Sequence, residues 1–338
     1  MAEQGDIARR DEHKEEGERV AERHRQIQQR QETIERKVQE EEEESENGAV
    51  QSPDRRRPEP PQPEQHQEKP GSEKELEPRP LYKAPNYRGS GKLQDMVAII
   101  TGGDSGIGRA VAVLFAREGA DVALVYLSEH EDATETARAI KEEGRRALLI
   151  PGDVSGPSFC IDAVEQTVKH FGRLDILVNN AAFQQHSVEP EQISDEQFDR
   201  TMKTNLYGYF YMARAALPHL KEGSSIINCG SVTGIRGSGA LLDYSITKGG
   251  IHSFTKSLAQ SVVDRGIRVN AVSPGPVWTP LNPADKPAEQ VAEFGSDVPM
   301  GRPAQPEEIA PAFVFLAAPS MSSYISGLVL PVLGGETV

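Results

Sequence analysis

Tyr244 and Lys248 stand four residues apart in a segment, Asp243–Val263, whose pattern predicts a long helix, so their side chains share one face. A phenol has an ordinary pKa of about 10, and a neighbouring ammonium lowers it by stabilising the anion. Such a pair suits proton transfer between a carbonyl and an alcohol. Ser231 follows an apolar run at Ser225–Cys229 and can donate a hydrogen bond to the same oxygen. A Tyr-x-x-x-Lys spacing alone is common by chance, and it gains meaning only from what precedes it.

What precedes it begins at Val97. The run Val97–Ile100 leads into Thr101-Gly102-Gly103-Asp104-Ser105-Gly106-Ile107-Gly108, then an amphipathic stretch through Ala116 and a second apolar run, Val122–Tyr126. Strand, glycine turn, helix and strand form a βαβ unit of dinucleotide-binding type. Gly102 and Gly106 let the backbone turn tightly and approach a pyrophosphate, and Gly108 lets the helix pack close to its strand. The helix start offers free N–H groups and a positive dipole end to phosphates.

The same alternation runs from residue 93 to 335. Expected strands are Ala147–Ile150, Leu174–Val178, Ser225–Cys229, Ile267–Val272 and Gly327–Leu330, and expected long helices include Phe198–Leu220 and Asp243–Val263. This predicts an α/β fold with a single doubly wound, seven-stranded parallel sheet covered by helices on both faces. Ligands of such sheets sit beyond the carboxyl ends of the strands. There lie the glycine loop, Asp153, Asn179-Asn180-Ala181-Ala182, Ser231 and Pro274–Thr279. Asp153 suits either an acceptor for an adenine amino group or a cap for the next helix. The Asn179 and Asn180 amides suit tying neighbouring strand ends together.

Residues 1–80 differ in kind: rich in Glu, Arg, Gln and Pro, with an acidic block at Glu40–Glu44. The expectation is a largely disordered tail, with a possible helix over 15–45 on a thin heptad seam of Val20, Ile27, Ile34 and Val38, and a semi-extended linker from Pro58 to Pro85. The folded domain is then 81–338. A net charge of −15 argues against nucleic acid as a partner. Cys160 and Cys229 lack metal-ligand spacing and read as buried thiols. Without a signal-like start or a membrane-length apolar run, a cytoplasmic location is the expectation.

Taken together and in this order, these pieces, with Asn205, resemble the short-chain dehydrogenase/reductase family over about Leu93–Gly335. Within it, the chain is similar to bacterial oxidoreductases with a polar N-terminal extension. The resemblance implies an NAD(P)-dependent oxidoreductase that interconverts an alcohol and a carbonyl. Tyr244 would be the acid/base, Lys248 would lower its pKa and hold the nicotinamide ribose, Ser231 would polarise the carbonyl, and Asn205 would hold a water in the proton path. Thr279 and the backbone after Pro274-Gly275 would grip the carboxamide. The implied cofactor-binding set is Gly102, Asp104, Ser105, Gly106, Ile107, Gly108, Asp153, Val154, Asn179, Ala181, Tyr244, Lys248, Pro274, Gly275, Val277 and Thr279, with no metal. Ala182 stands where the family usually has glycine.

Tyr126-Leu127-Ser128-Glu129 offers no arginine for a 2′-phosphate and no strand-end aspartate. The missing positive charge leans the cofactor, NAD or NADP, toward NAD(H). The implied substrate is a small alcohol, aldehyde, ketone or sugar. Gln184, Gln185, His186 and Trp278 are candidates for the pocket, His186 also reading as a plain loop residue, and 281–300 for a lid. A homotetramer through the two long helices is implied. The competing reading is a nucleotide-binding interaction protein with vestigial catalysis and a docking tail.

Overall fold

The computed structural model describes residues 49–53, 55–187 and 189–338, together with Arg23, Gln26, Gln29, Arg30, Thr33 and Lys37, all six helical. The heptad positions Val20, Ile27, Ile34 and Val38 lie outside the described residues.

Seven parallel strands form one sheet, β1 Val97–Thr101, β2 Asp121–Tyr126, β3 Ala147–Pro151, β4 Ile176–Asn179, β5 Ser225–Cys229, β6 Arg268–Pro274 and β7 Val329–Val332. Their spatial order is β3-β2-β1-β4-β5-β6-β7, so the order of strand addition reverses between β1 and β4 while all strands stay parallel. Every residue of β1, β2, β4, β5 and β6 is buried, as parallel strands covered on both faces must be. Side chains alternate across the pleat. Ala98 and Ile100 of β1 therefore join one core with Leu114, Phe313 and Val314, while Ile99 joins the other with Val164, Met212 and Val262.

The main helices are α1 Gly106–Arg117, α2 His130–Glu142, α3 Pro157–Phe171, α4 Asp195–Met202, α5 Gly208–Ala216, α6 Leu242–Val262 and α7 Pro306–Ala317. The helix expected at Phe198–Leu220 begins earlier, ends earlier and is interrupted by a π-helical turn at Lys203–Tyr207. The cause is local. Asn205 turns its amide toward the β4 loop, and Gly208 packs so close to Val154 that a Cβ there would meet Val154 Cγ2 at 2.9 Å.

The domain boundary does not fall at residue 80. The compact unit runs Val50–Val338. Residues 50–87 form a strap along the sequence segment 278–307. Val50 N donates to Met300 O at 2.9 Å, Gln62 N to Ala292 O at 2.8 Å, Gln67 N to Pro283 O at 2.9 Å, and Glu307 N to Leu81 O at 3.0 Å. Leu76 is fully buried with Trp278 and Val291, and Trp278 Nε1 donates to Pro78 O at 2.7 Å. The segment lacks the apolar content for its own core, which is why its composition reads as a tail. It is ordered instead by backbone hydrogen bonds to a surface already formed and by a few deep anchors: Glu73, Leu76 and Tyr82.

Candidate active site

The tips of β1 and β4 are locked together first. Thr101 Oγ1 accepts from Asn180 N at 2.9 Å and from Ala181 N at 3.1 Å, and Asn180 Nδ2 donates to Thr101 O and Gly102 O. Gly102 has φ +62° and Gly106 φ +51°, and both line a cleft above these tips. A Cβ on Gly106 would crowd Thr279 Cγ2 at 2.9 Å, so the loop makes a cradle open only to backbone. Gly108 has the packing role expected of it: a Cβ would fall 1.9 Å from Gly102 O. It does not line the cleft. The cradle, the α1 N-terminus and the cleft's extension to Asp153 fit a dinucleotide.

Gly102, Asp104, Ser105, Gly106, Ile107, Asp153, Val154, Ala181, Tyr244, Lys248 and Thr279 line this cleft. Asp153 accepts from Arg200 Nη1 at 2.8 Å and from Ser155 N at 2.9 Å. Burial raises its pKa, but these bonds outweigh it and hold the carboxyl below its usual range. Asn179 ties neighbouring strands, as its amide suggested, and does not line the cleft. It is fully buried, its Nδ2 donates to Asn228 Oδ1 at 2.9 Å, and it binds β4 to β5 beneath the site. Its side chain lies on the opposite side of the pleat from the cleft, and Asn180 takes the lining position. Pro274, Gly275 and Val277 line a second cavity, together with Ser231, Gln184 and His186.

The two cavities meet at Ile107, Cys229, Tyr244, Thr279 and Leu281. Tyr244, in the first turn of α6, is thus at their junction, with its side chain hydrogen-bonded to Ser231. Ser231 Oγ also accepts from Thr233 N at 3.2 Å and Thr233 Oγ1 at 3.0 Å, which leaves its proton for Tyr244 or a substrate. Lys248 Nζ donates to Cys229 O at 2.8 Å and lies 5.3 Å from the Tyr244 ring centre. The expected lowering of the phenol pKa is not found. Burial pushes Tyr244 up, with Cys229 adding to it, and the Ser231 hydrogen bond only partly opposes this. Burial likewise pushes Lys248 down. The physical reason is that desolvation of two enclosed groups exceeds the gain from an ammonium directed at a carbonyl.

Asn205 is fully buried and outside both cavities. Its Oδ1 accepts from Phe183 N at 2.8 Å, and its Nδ2 donates to Phe183 O at 2.9 Å and to Thr247 Oγ1 at 3.1 Å. It therefore links the β4 loop to α6 one turn from Tyr244. Trp278 is wholly enclosed beneath the strap and does not line the pocket. Gln185 is likewise absent from both linings, whereas Gln184 and His186 line the second cavity.

Several lining residues escaped the sequence reading. Glu129 lines the dinucleotide cleft. A carboxylate roughly twenty residues beyond the last glycine of the loop was the signal that could have found it. Pro70 and Gly71 also line it, and no local pattern marks them. Asp285 lies behind the lining, where it holds Gln184 and His186, and nothing local sets it apart from the other acids of 281–300.

Residues 102–337 match the short-chain dehydrogenase model described as enoyl-(acyl carrier protein) reductase. The chain belongs to the short-chain dehydrogenase/reductase family. This dehydrogenase/reductase is 56% identical over 275 residues to an uncharacterized oxidoreductase, YhdF, of Bacillus subtilis, covering 81% of this chain and 95% of that one. It is 46% identical over 282 residues to a glucose and ribitol dehydrogenase of Daucus carota, covering 82% and 97%. A short-chain dehydrogenase from Burkholderia cenocepacia in complex with NADP superposes with a TM-score of 0.67 at 33% identity, over 72% of this chain and 98% of that one. The dehydrogenase/reductase is an NAD(P)-dependent oxidoreductase acting between alcohol and carbonyl. The reading as an interaction protein with vestigial catalysis has no support, since Ser231, Tyr244 and Lys248 stand together at one junction. The lean toward NAD(H) gains none from a relative seen with NADP. Among the described residues, no helix is long and apolar enough to cross a membrane.

Proposed function

We propose that this dehydrogenase/reductase interconverts a hydroxylated aldehyde of the aldose class and its polyol, using NADP(H), with Tyr244 as acid/base. The observation that carries the reading is the position of Tyr244 where the dinucleotide cleft opens into a second cavity with several polar side chains in its wall. Gln184, His186, Ser231, Ser238, Asn282 and Lys286 line that cavity, and these donors and acceptors suit a substrate with several hydroxyls. His186 is held rather than loose: Nδ1 bonds Asp285 Oδ2, and the backbone N donates to Asp285 Oδ1 at 2.7 Å. The carrot relative named for glucose and ribitol supports the same class.

The nicotinamide supplies or takes the hydride. The chain's own part is to give a proton from the Tyr244 hydroxyl to the carbonyl oxygen, or take it back in the other direction. Ser231 hydrogen-bonds that oxygen and fixes its position. Lys248 holds the nicotinamide ribose within reach of Tyr244, and Thr279 orients the carboxamide. Asn205 keeps the β4 loop and α6 in register.

NADP(H) is favoured by the Burkholderia relative and by a local seat. Ser128 donates from its backbone N at 3.1 Å and its Oγ at 2.7 Å to the Glu129 carboxylate. A 2′-phosphate can take those two donors if Glu129 turns out. The chain acts as a cytoplasmic homotetramer in this reading. Tyr207, Phe210, Leu242 and Ile246, all exposed, give the helix pair an apolar face suited to such an interface.

The deciding experiment titrates wild type with NADPH and NADH by fluorescence, then assays aldoses and polyols against unsubstituted alkyl aldehydes and alcohols of equal length. Higher kcat/KM for the hydroxylated series with NADP(H) is expected. Preference for the plain series, or for NAD(H), would overturn the respective part.

A further inference from the structure

The strap does more than cover the domain. Just past Lys69 it reaches the cofactor cleft. Pro70 and Gly71 form part of the cleft's lining beside Ser105, Gly106, Thr279 and Pro280. Gly71 has φ +89°, and a Cβ there would sit 2.7 Å from Pro280 O, so strap and loop are in backbone contact at this point. On one side, Lys69 Nζ donates to Gln184 O at 2.7 Å and Ala284 O at 3.0 Å and lies 3.8 Å from Asp285 Oδ1. It thus joins the β4 loop to the loop after Thr279. On the other side, Glu73 is fully buried under the glycine loop. Its carboxylate accepts from Gly106 N and meets Arg109 Nη1 at 2.7 Å.

We propose that Lys69–Glu73 is a clamp on the bound dinucleotide, with Lys69 and Glu73 as positioning residues that pin it at either end. The inference rests on the reading of the cleft as a dinucleotide site. Between the two pins, strap and loop together wall the cleft where it passes from the glycine loop toward Tyr244. A dinucleotide lying there is enclosed by Gly106 and Ile107 beneath and by Pro70, Gly71, Pro280 and Leu281 outside. It leaves only when a pin opens and the 279–286 loop lifts with it. Of the backbone hydrogen bonds that lay this Pro-rich, polar segment along 278–302, Gln67 N to Pro283 O at 2.9 Å falls on the 279–286 loop itself and holds it closed beside Lys69.

The test uses the full chain and its variants K69A, E73A and G71A. Release of NADPH is followed by stopped-flow fluorescence on mixing with excess NADP, with hydrogen exchange of 279–286 read in the NADPH complex. The expected result is release about tenfold faster or more in K69A and E73A, an effect on dissociation rather than association, with protection lost from 279–286. G71A, which pushes strap from loop without touching a charge, is expected to act in the same direction. Release at the wild-type rate in folded K69A and G71A overturns the clamp. K69A decides alone if E73A does not fold, since the Lys69 side chain is 31% exposed and no deep packing is lost. A wild type that binds neither NADPH nor NADH overturns the functional reading and the clamp with it. A wild type that binds while its variants release at the same rate overturns the clamp only.

Discussion

Arg109 Nη1 meets Glu73 Oε1 at 2.7 Å with both side chains shut away from solvent, one from the first turns of the nucleotide-loop helix and the other from the N-terminal strap. Arg109 also holds Asp132 Oδ1 at 3.0 Å, and Asp132 Oδ2 accepts from Glu73 N at 2.9 Å. A single cation thus connects α1, α2 and the strap. Removing one partner of such a buried set strands the other charges, which typically costs about 3–5 kcal/mol. The strap is therefore attached to the catalytic domain through the element that cradles the cofactor.

This attachment depends on pH. Burial pushes the Glu73 carboxyl up from 4.5 to about 7, despite the opposing charge of Arg109 and the Gly106 N–H. The folded state keeps a proton that the unfolded chain has already lost between those values. Its contribution to stability is complete below the unfolded value and disappears as pH rises through about 7. Asp104, raised by burial from 3.8 to about 6, acts in the same direction. Melting temperatures at pH 5 and pH 8 should therefore show E73Q losing less than wild type over the rise. An equal loss in both would remove Glu73 as the source.

Truncation should be harmful where the composition of the segment suggests it is harmless. Deleting residues 1–80 exposes Trp278 and Val291, leaves Trp278 Nε1 without Pro78 O, and takes from Arg109 its Glu73 partner, leaving it Asp132. A sharply lower melting temperature and loss of cofactor binding are expected. As a milder probe, L76A should cost about 2–5 kcal/mol in urea denaturation, the usual range for a buried Leu→Ala change. An intact melting temperature in either would mean the strap is not part of the fold.

Tyr244→Phe keeps the ring that fills the junction and removes the proton. A kcat loss of about 10²–10⁴-fold is expected, the range general acid/base groups contribute, with NADPH affinity changed by less than about twofold. The two halves are read by steady-state kinetics and by fluorescence titration. Turnover near wild type would take the acid/base role away from Tyr244.

Glu129→Ala frees both donors of Ser128 and removes a negative charge from the lining of the cleft. NADPH should bind tighter by about tenfold or more, a gain on the order of one charge-assisted hydrogen bond, while NADH gains nothing. Parallel titrations of the two cofactors check it. Tightening of both cofactors alike would show that Glu129 does not face the 2′ position.

The sequence by itself determined the doubly wound sheet, the glycine cradle and the Tyr244–Lys248–Ser231 group. Those are local facts: short continuous apolar runs, 3.6-residue periodicity and turn chemistry act within a few residues, and strand ends inherit their position from sheet topology. The interruption at Lys203–Tyr207 was not legible, because it depends on Asn205 finding the backbone of Phe183 across space. Nor was the fate of Asn179, since which of two neighbouring asparagines faces the cleft is a matter of pleat phase.

Only the tertiary structure decided the place of residues 50–80 and the protonation of the site. The strap carries too few apolar residues to reveal itself, and it is ordered by hydrogen bonds to carbonyls such as Met300, Ala292 and Pro283, whose availability depends on how the distant 278–307 segment folds. The pKa of Tyr244 is set in the same way. Its spacing from Lys248 points to a lowered value, but the depth of the junction and the turn of Nζ toward Cys229 O are properties of packing, and desolvation there is the larger effect.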